Sequence, residues 1–302
     1  MGSVIPIINL RINSMRQLGV FLIQSKLLIA LAALVLTLAT QVQMGHGFVW
    51  NPYLLMVFFA TFLVYNLTRL VVLQFFKMPL EHFSDQWVNQ QTKLFYGSLT
   101  LAFVGLVLTF FLIEKQLLLY ILPLVLVVLF YTLPFLKFKQ LSLNIRRVPF
   151  LKIFLIMMVW SFSTVMLPFL QFDQVINWKK IVLLLFERLL FIGALAILFD
   201  LRDMVADRKM GLKTIPTQIG EKNSLLLSNI LLAMFLLVSF SYYSISNSLY
   251  LFPAALVSLF VLLYLVNSSK IKLNPFYHAL YLDGAMLLHG LLILFFYCLH
   301  CI

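Results

Sequence analysis

The stretch Asp200–Gly220, DLRDMVADRKMGLKTIPTQIG, is the one long, strongly polar run in an otherwise apolar chain. Its carboxylates Asp200, Asp203 and Asp207 follow an i, i+3, i+7 spacing. On a helix turning ~100° per residue they fall within roughly a 60° arc, so all three can face one cleft. Arg202, Arg208, Lys209 and Lys213 lie among and behind them, with a glycine turn at Gly211. Clustered carboxylates suit a hard divalent cation such as Mg²⁺, which takes one or two of them together with substrate phosphates. Basic side chains close by suit those phosphates. The plainer alternative is a charged loop that solvates two helix ends.

Working outward, the rest of the chain is built for lipid. Of 302 residues, 63% are hydrophobic and 11% charged, with a mean hydropathy of +1.03. That composition identifies a polytopic helical membrane protein. Nine apolar runs are long enough to span: Val20–Thr40, Pro52–Phe75, Phe95–Ile113, Leu117–Phe135, Pro149–Leu170, Ile181–Phe199, Ser224–Ser244, Leu249–Val266 and Pro275–Tyr297. Each approaches the ~20 residues that cross a ~30 Å hydrocarbon core. The expected architecture is an all-α bundle of about nine transmembrane helices around a central cavity, one domain over residues 1–302.

The charges agree. The net charge of +12 comes from residues in short loops and forms no extended basic face, which argues against nucleic acid. Eighteen basic residues lie on one side of the spans and three (Lys115, Lys179, Lys180) on the other, with Arg188 inside a span. The positive-inside rule then puts the N-terminus in the cytoplasm and the C-terminus outside. Short loops, the charge bias and the lack of a transit peptide or cleavable signal point to a bacterial cytoplasmic membrane. Cys298 and Cys301 provide no disulfide framework, and the CLHC tail reads as frayed rather than metal-binding. Only the cytoplasmic loops are polar enough for a site: Lys77–Thr92, Lys137–Arg147 and the opening stretch.

This arrangement resembles the UbiA-type intramembrane prenyltransferase superfamily. The second acidic motif of that superfamily runs N/D-x-x-D-x-x-x-D-x-x-x-G-x-x-T-L/I/S, and Asp200, Asp203, Asp207, Gly211, Thr214 and Ile215 fill it. Tyr131-Thr132-Leu133-Pro134, followed by basic residues and Lys152, looks like the family's Y-S/T-x-P segment. The resemblance implies Mg²⁺-dependent transfer of a prenyl group from a polyprenyl diphosphate to a small, often aromatic acceptor. It assigns Asp200, Asp203 and Asp207 to Mg²⁺, and Asn66 to holding metal or diphosphate. Tyr131 would steady the carbocation or the acceptor. Lys137, Lys152, Arg202, Arg208 and Lys213 would neutralise the diphosphate.

One half of the pattern departs. The family's first motif, N-D-x-x-D-x-x-x-D, falls on Asn66–Gln74, where Leu67, Leu70 and Gln74 replace the three aspartates and Arg69 is new. Two readings follow. In one, the Arg69 guanidinium replaces a metal and binds diphosphate directly. In the other, Arg69 pairs with the carboxylates, and the protein keeps the fold as a lipid-diphosphate binder or scaffold. A secondary transporter is a third class, supported only by the intramembrane charges Glu187, Arg188 and Asp283. Adjacent helical residues do not face each other, so Glu187 and Arg188 each need a partner elsewhere. Arg188 lies about 18 Å from Asp200 along the axis, too far to share a diphosphate. Asp283 reads as a structural hydrogen bond to a neighbouring helix or to Lys152, and His289 as a satisfied core residue.

Overall fold

A backbone in hydrocarbon must satisfy its own N–H and C=O groups, so long apolar runs become helices. The computed structural model describes residues 21–22, 24–75, 88, 90–132, 137–138, 141–142, 150–172, 177–209, 213–268 and 277–301. Among them are nine apolar helices, seven of which are long and apolar enough to cross a membrane. They are α1 (Leu27–Gln43), α2 (Pro52–Phe75), α3 (Thr92–Leu112) and α4 (Lys115–Thr132). After a two-residue hairpin, Lys137–Phe138 on Leu141–Ser142, come α5 (Leu151–Phe172) and α6 (Trp178–Lys209). Then follow α7 (Ile215–Ile245), α8 (Leu249–Asn267) and α9 (Asp283–Cys301), the last preceded by a π-helical turn, Tyr277–Leu282.

Local chemistry sets the ends. The Asn51 side chain accepts from Leu54 N–H at 3.2 Å, and Pro52 starts α2 where a missing N–H costs nothing. Thr214 caps α7 in a reciprocal box with Thr217, with Pro216 in the first turn. Two boundaries differ from the apolar runs. Helix α6 continues ten residues past Phe199, carrying all three aspartates on one helix. Helix α7 begins nine residues before Ser224, crossing a break at Gly220 (φ 80°) where only glycine is unstrained. The C-terminus is also not frayed: α9 is helical to Cys301, and the His300 ring stacks on Tyr250 at 3.8 Å. The start of the last apolar run at Asn274-Pro275, which reads as a helix cap and first-turn proline, and most of the Lys77–Thr92 loop lie outside the described residues.

The helices close into a ring. Sequential neighbours pack from α4 through α9, α9 packs on α1, and α1 on α2, which also touches α4. Helix α3 packs chiefly on α2 and turns Leu101, Phe103, Phe111 and Leu112 outward, as a lipid-facing surface requires. Without a hydrophobic force between helices in lipid, close backbone approach decides such contacts. Gly290 provides it at the α1–α9 seam: a Cβ there would lie 2.8 Å from the Val35 side chain and 3.2 Å from the Leu36 backbone. Gly290→Val is therefore expected to force α1 and α9 apart and cost about 1–3 kcal/mol, read as a lower melting temperature in detergent. An unchanged melt would refute the tight seam.

Candidate active site

Between α1, α2, α4, α5, α6 and α9 lies a cavity of about 290 Å³, near the lower end of small-molecule sites. One end is polar, with Lys26, Lys152, Asp200, Arg202, Asp203 and Asp283 on its wall. The other is apolar. On α6 alone the lining runs from Phe199 back to Ile192, a rise of about 10 Å. Tyr65, Trp160 and Phe199 add aromatic surface, and Trp160 Nε1 donates to the Tyr65 hydroxyl at 3.2 Å.

The three aspartates share helix α6 but meet different partners. Asp200 is buried and pairs with Lys152 of α5, Nζ to Oδ1 at 2.6 Å. Asp203 is gripped by Arg202 through two bonds, at 2.7 and 2.9 Å. Asp207 is buried near the start of α7 and hydrogen-bonded to the Thr214 side chain. Burial pushes its carboxyl above the usual carboxylate range, while Lys152 and Thr214 draw it back. Thus Asp200 and Asp203 line the cavity, and Asp207 sits behind them. Asp283, expected to be structural, joins the polar end from α9, within electrostatic reach of Lys26 and Arg202.

Three buried carboxylate oxygens here, Asp200 Oδ2, Asp207 Oδ2 and Asp283 Oδ1, have no hydrogen-bond partner among the described residues. Buried acceptors in that state call for a cation or water. No three carboxylate, His or Cys side chains among the described residues come close enough to cage a metal. The donor set fits the other Mg²⁺ mode, one or two carboxylates completed by substrate phosphates and water.

The polar residues of α2 do something the sequence did not suggest. Asn66 is buried, and its Nδ2 donates to Ser25 O at 3.0 Å and Phe62 O at 2.9 Å. One turn on, Arg69 Nη2 donates to Gln24 O at 2.9 Å. Neither residue lines the cavity. Both instead hold the turn that leads into α1, where Lys26 adopts a left-handed backbone (φ 64°, ψ 17°), a conformation costing of order 1 kcal/mol for a residue with a Cβ. Arg208 and Lys213 are exposed and lie off the cavity wall. Tyr131 belongs to α4 and Lys137 to the hairpin, but their side chains lie outside the described residues.

A second polar cluster lies deep in the bundle. His289 Nε2 is 3.5 Å from Glu187 Oε1, its Nδ1 is 2.9 Å from Ser258 Oγ, and Ser239 donates to Glu187 at 3.4 Å. Arg188 reaches Thr164, Thr40 and Gln43 at 3.4–3.5 Å, with Nε 3.8 Å from Glu187. As the spacing required, each of the adjacent charges finds partners on other helices.

A ring of apolar helices around a cavity with a charged end and an oily, aromatic-walled body defines a class: a multi-pass membrane protein with an amphipathic cavity inside the helix bundle. The model of the UbiA prenyltransferase family matches residues 87–275, and the chain belongs to that family. Among solved structures, the chain resembles the apo structure of a UbiA homolog from Aeropyrum pernix K1. The identity is 12% and the TM-score 0.60, with 93% of this chain and 98% of that one covered. A structure of digeranylgeranylglyceryl phosphate synthase is similar at 13% identity and TM-score 0.52, covering 94% and 98%. At these identities the likeness concerns the fold alone. No curated protein matches the chain.

Proposed function

We propose that the protein transfers a prenyl group from a polyprenyl diphosphate to a small, lipophilic acceptor, with Mg²⁺ held at Asp200 and Asp203 and reaching Asp207 only through water. The observation that carries this reading is a cavity in which a charged end adjoins an apolar wall. The diphosphate head fits the first and the prenyl tail the second. Among the described residues of the wall, three cations, Lys26, Lys152 and Arg202, balance three carboxylates, Asp200, Asp203 and Asp283. A diphosphate adds about three negative charges, so its entry demands further positive charge. When bound, Mg²⁺ would supply that charge and stabilise the departing diphosphate.

The side chains do the rest. Arg202 is partly exposed, and such pairs are worth only about 0.2–1 kcal/mol, so it can release Asp203 and take up diphosphate oxygens at little cost. Lys152 is bound to a buried carboxylate, so it leaves Asp200 only if another cation, such as Mg²⁺, takes its place there. The allylic C–O bond breaks with its electron pair leaving on the diphosphate. Tyr65, Trp160 and Phe199 offer ring faces to the resulting cation, and the acceptor adds to that carbon and loses a proton. The apolar wall keeps water from capturing the cation. The charge bias orients the polar end toward the cytoplasm, in a bacterial cytoplasmic membrane with the C-terminus outside.

A second reading has one observation behind it. Lys152 and Arg202 already neutralise Asp200 and Asp203, as they would in a protein that binds a lipid diphosphate and leaves it intact. Pyrophosphate release separates the two. Purified protein in detergent, given geranylgeranyl diphosphate and a panel of small aromatic acceptors, is expected to release pyrophosphate with Mg²⁺ and not with EDTA. Binding without release would favour the second reading.

A further inference from the structure

We propose that Lys26 is a diphosphate ligand and that Asn66 and Arg69 are positioning residues acting through it. The degenerate first motif then works by aiming a lysine where an acidic motif would hold a metal. This rests on the reading that the cavity takes a prenyl diphosphate.

Three observations support it. Lys26 lies on the cavity wall at the polar end, with Lys152, Asp200 and Arg202. The two carbonyls immediately before it, Gln24 O and Ser25 O, are each held by a side chain of α2, Arg69 and Asn66. Lys26 itself has a left-handed backbone. Strained conformations of this kind persist where surrounding contacts over-determine them, and they concentrate at functional sites. Two side chains one helical turn apart, fixing two successive peptide groups, supply that over-determination. The geometry also resolves why the three aspartates can be absent: Asn66 and Arg69 are turned to the backbone, so α2 contributes its effect at one remove. Lys26, an ammonium on a flexible stem within electrostatic reach of Asp283, can carry a positive charge to the diphosphate.

The test is equilibrium binding of radiolabelled geranylgeranyl diphosphate to the full-length protein, in Mg²⁺ and in EDTA. Melting temperatures are measured alongside. Lys26→Met is expected to raise Kd about 10- to 100-fold in Mg²⁺, the effect of losing a charge-assisted hydrogen bond. Lys26→Arg is expected to restore Kd to within a few-fold. Asn66→Ala and Arg69→Gln are expected to raise Kd in the wild-type background and to add nothing in the Lys26→Met background, because both act through Lys26. Full additivity would make them direct ligands and overturn the positioning role. If Lys26 serves only as a structural partner of Asp283, Lys26→Met would move the melting temperature and leave Kd unchanged, which overturns the ligand role. Should an α2 variant fail to fold, the Lys26→Met and Lys26→Arg pair still decides. Wild-type protein that binds no prenyl diphosphate in either condition would overturn the substrate reading and this inference with it, whereas tight binding indifferent to Lys26 would overturn the inference alone.

Discussion

Asp203→Asn is expected to lower Mg²⁺-dependent pyrophosphate release by about 10²–10³-fold or more, the range seen when one preorganised electrostatic contact to a developing charge is removed. The same change should leave binding of the prenyl diphosphate in EDTA intact or slightly tighter. Asp203 holds Arg202 through two hydrogen bonds, and the neutral amide would release that guanidinium to the ligand. This split between turnover and metal-free binding is what a merely destabilised protein would not produce. Release that survives in Asp203→Asn would remove Asp203 from the metal assignment. Asp200→Asn provides an internal contrast. Its carboxylate is buried against Lys152, so the variant should weaken turnover and also strand a lysine in the wall.

Arg188→Met is expected to destabilise the protein by about 3–5 kcal/mol, because it leaves the buried Glu187 carboxylate without its cationic neighbour. Denaturation in mixed detergent micelles would measure it. Combining Arg188→Met with Glu187→Gln should recover much of the loss, since neutralising both members of a buried pair costs far less than breaking it. A single variant as stable as wild type would show that the cluster contributes no structural support. Flux in proteoliposomes tests the other use of intramembrane charge. The enzyme reading expects none, and coupled transport abolished by Arg188→Met would revive the transporter class.

The parts of the fold and site that could be read from the sequence are those encoded locally. Apolar length gave the helices, because hydrocarbon leaves the backbone no alternative. Pro52 marks a helix start by chemistry confined to one turn, whereas the start of α7 after Thr214 escapes such a reading because the apolar run begins only at Ser224. The i, i+3, i+7 aspartates and Lys152 were legible because their spacing or motif context is short. What escaped depends on contacts between distant segments. Lys26 sat in a count of basic loop residues, since nothing in its neighbours announces a left-handed turn or a clamp 40 residues away. The sequence reads Asp283 as structural because its approach to Lys26 and Arg202 exists only once α9 lies beside α1 and α6. Asn66 was assigned to metal or diphosphate on its motif position, yet its amide is engaged with Ser25 O and Phe62 O. One signal was available for the α2 pair. An arginine replacing acidic chemistry one turn from a buried asparagine needs acceptors, and backbone carbonyls before a helix are natural ones.

The seam between α1 and α9 bears on how the protein is made. Helix α1 buries Thr37, Thr40, Gln41 and Gln43 against the rest of the ring, and α9 is among its principal neighbours. Translation delivers α1 to the bilayer well before α9. For most of synthesis, then, a helix carrying two glutamines near one end waits in lipid without the neighbours that shelter it. The two threonines manage alone, bonding back to Ala33 O and Leu36 O. The glutamines cannot, and Gln43 acquires its Tyr243 partner only when α7 arrives. Nascent chains stalled before α7 should accordingly stay crosslinked to the insertion machinery through α1, and be released once the ring can close.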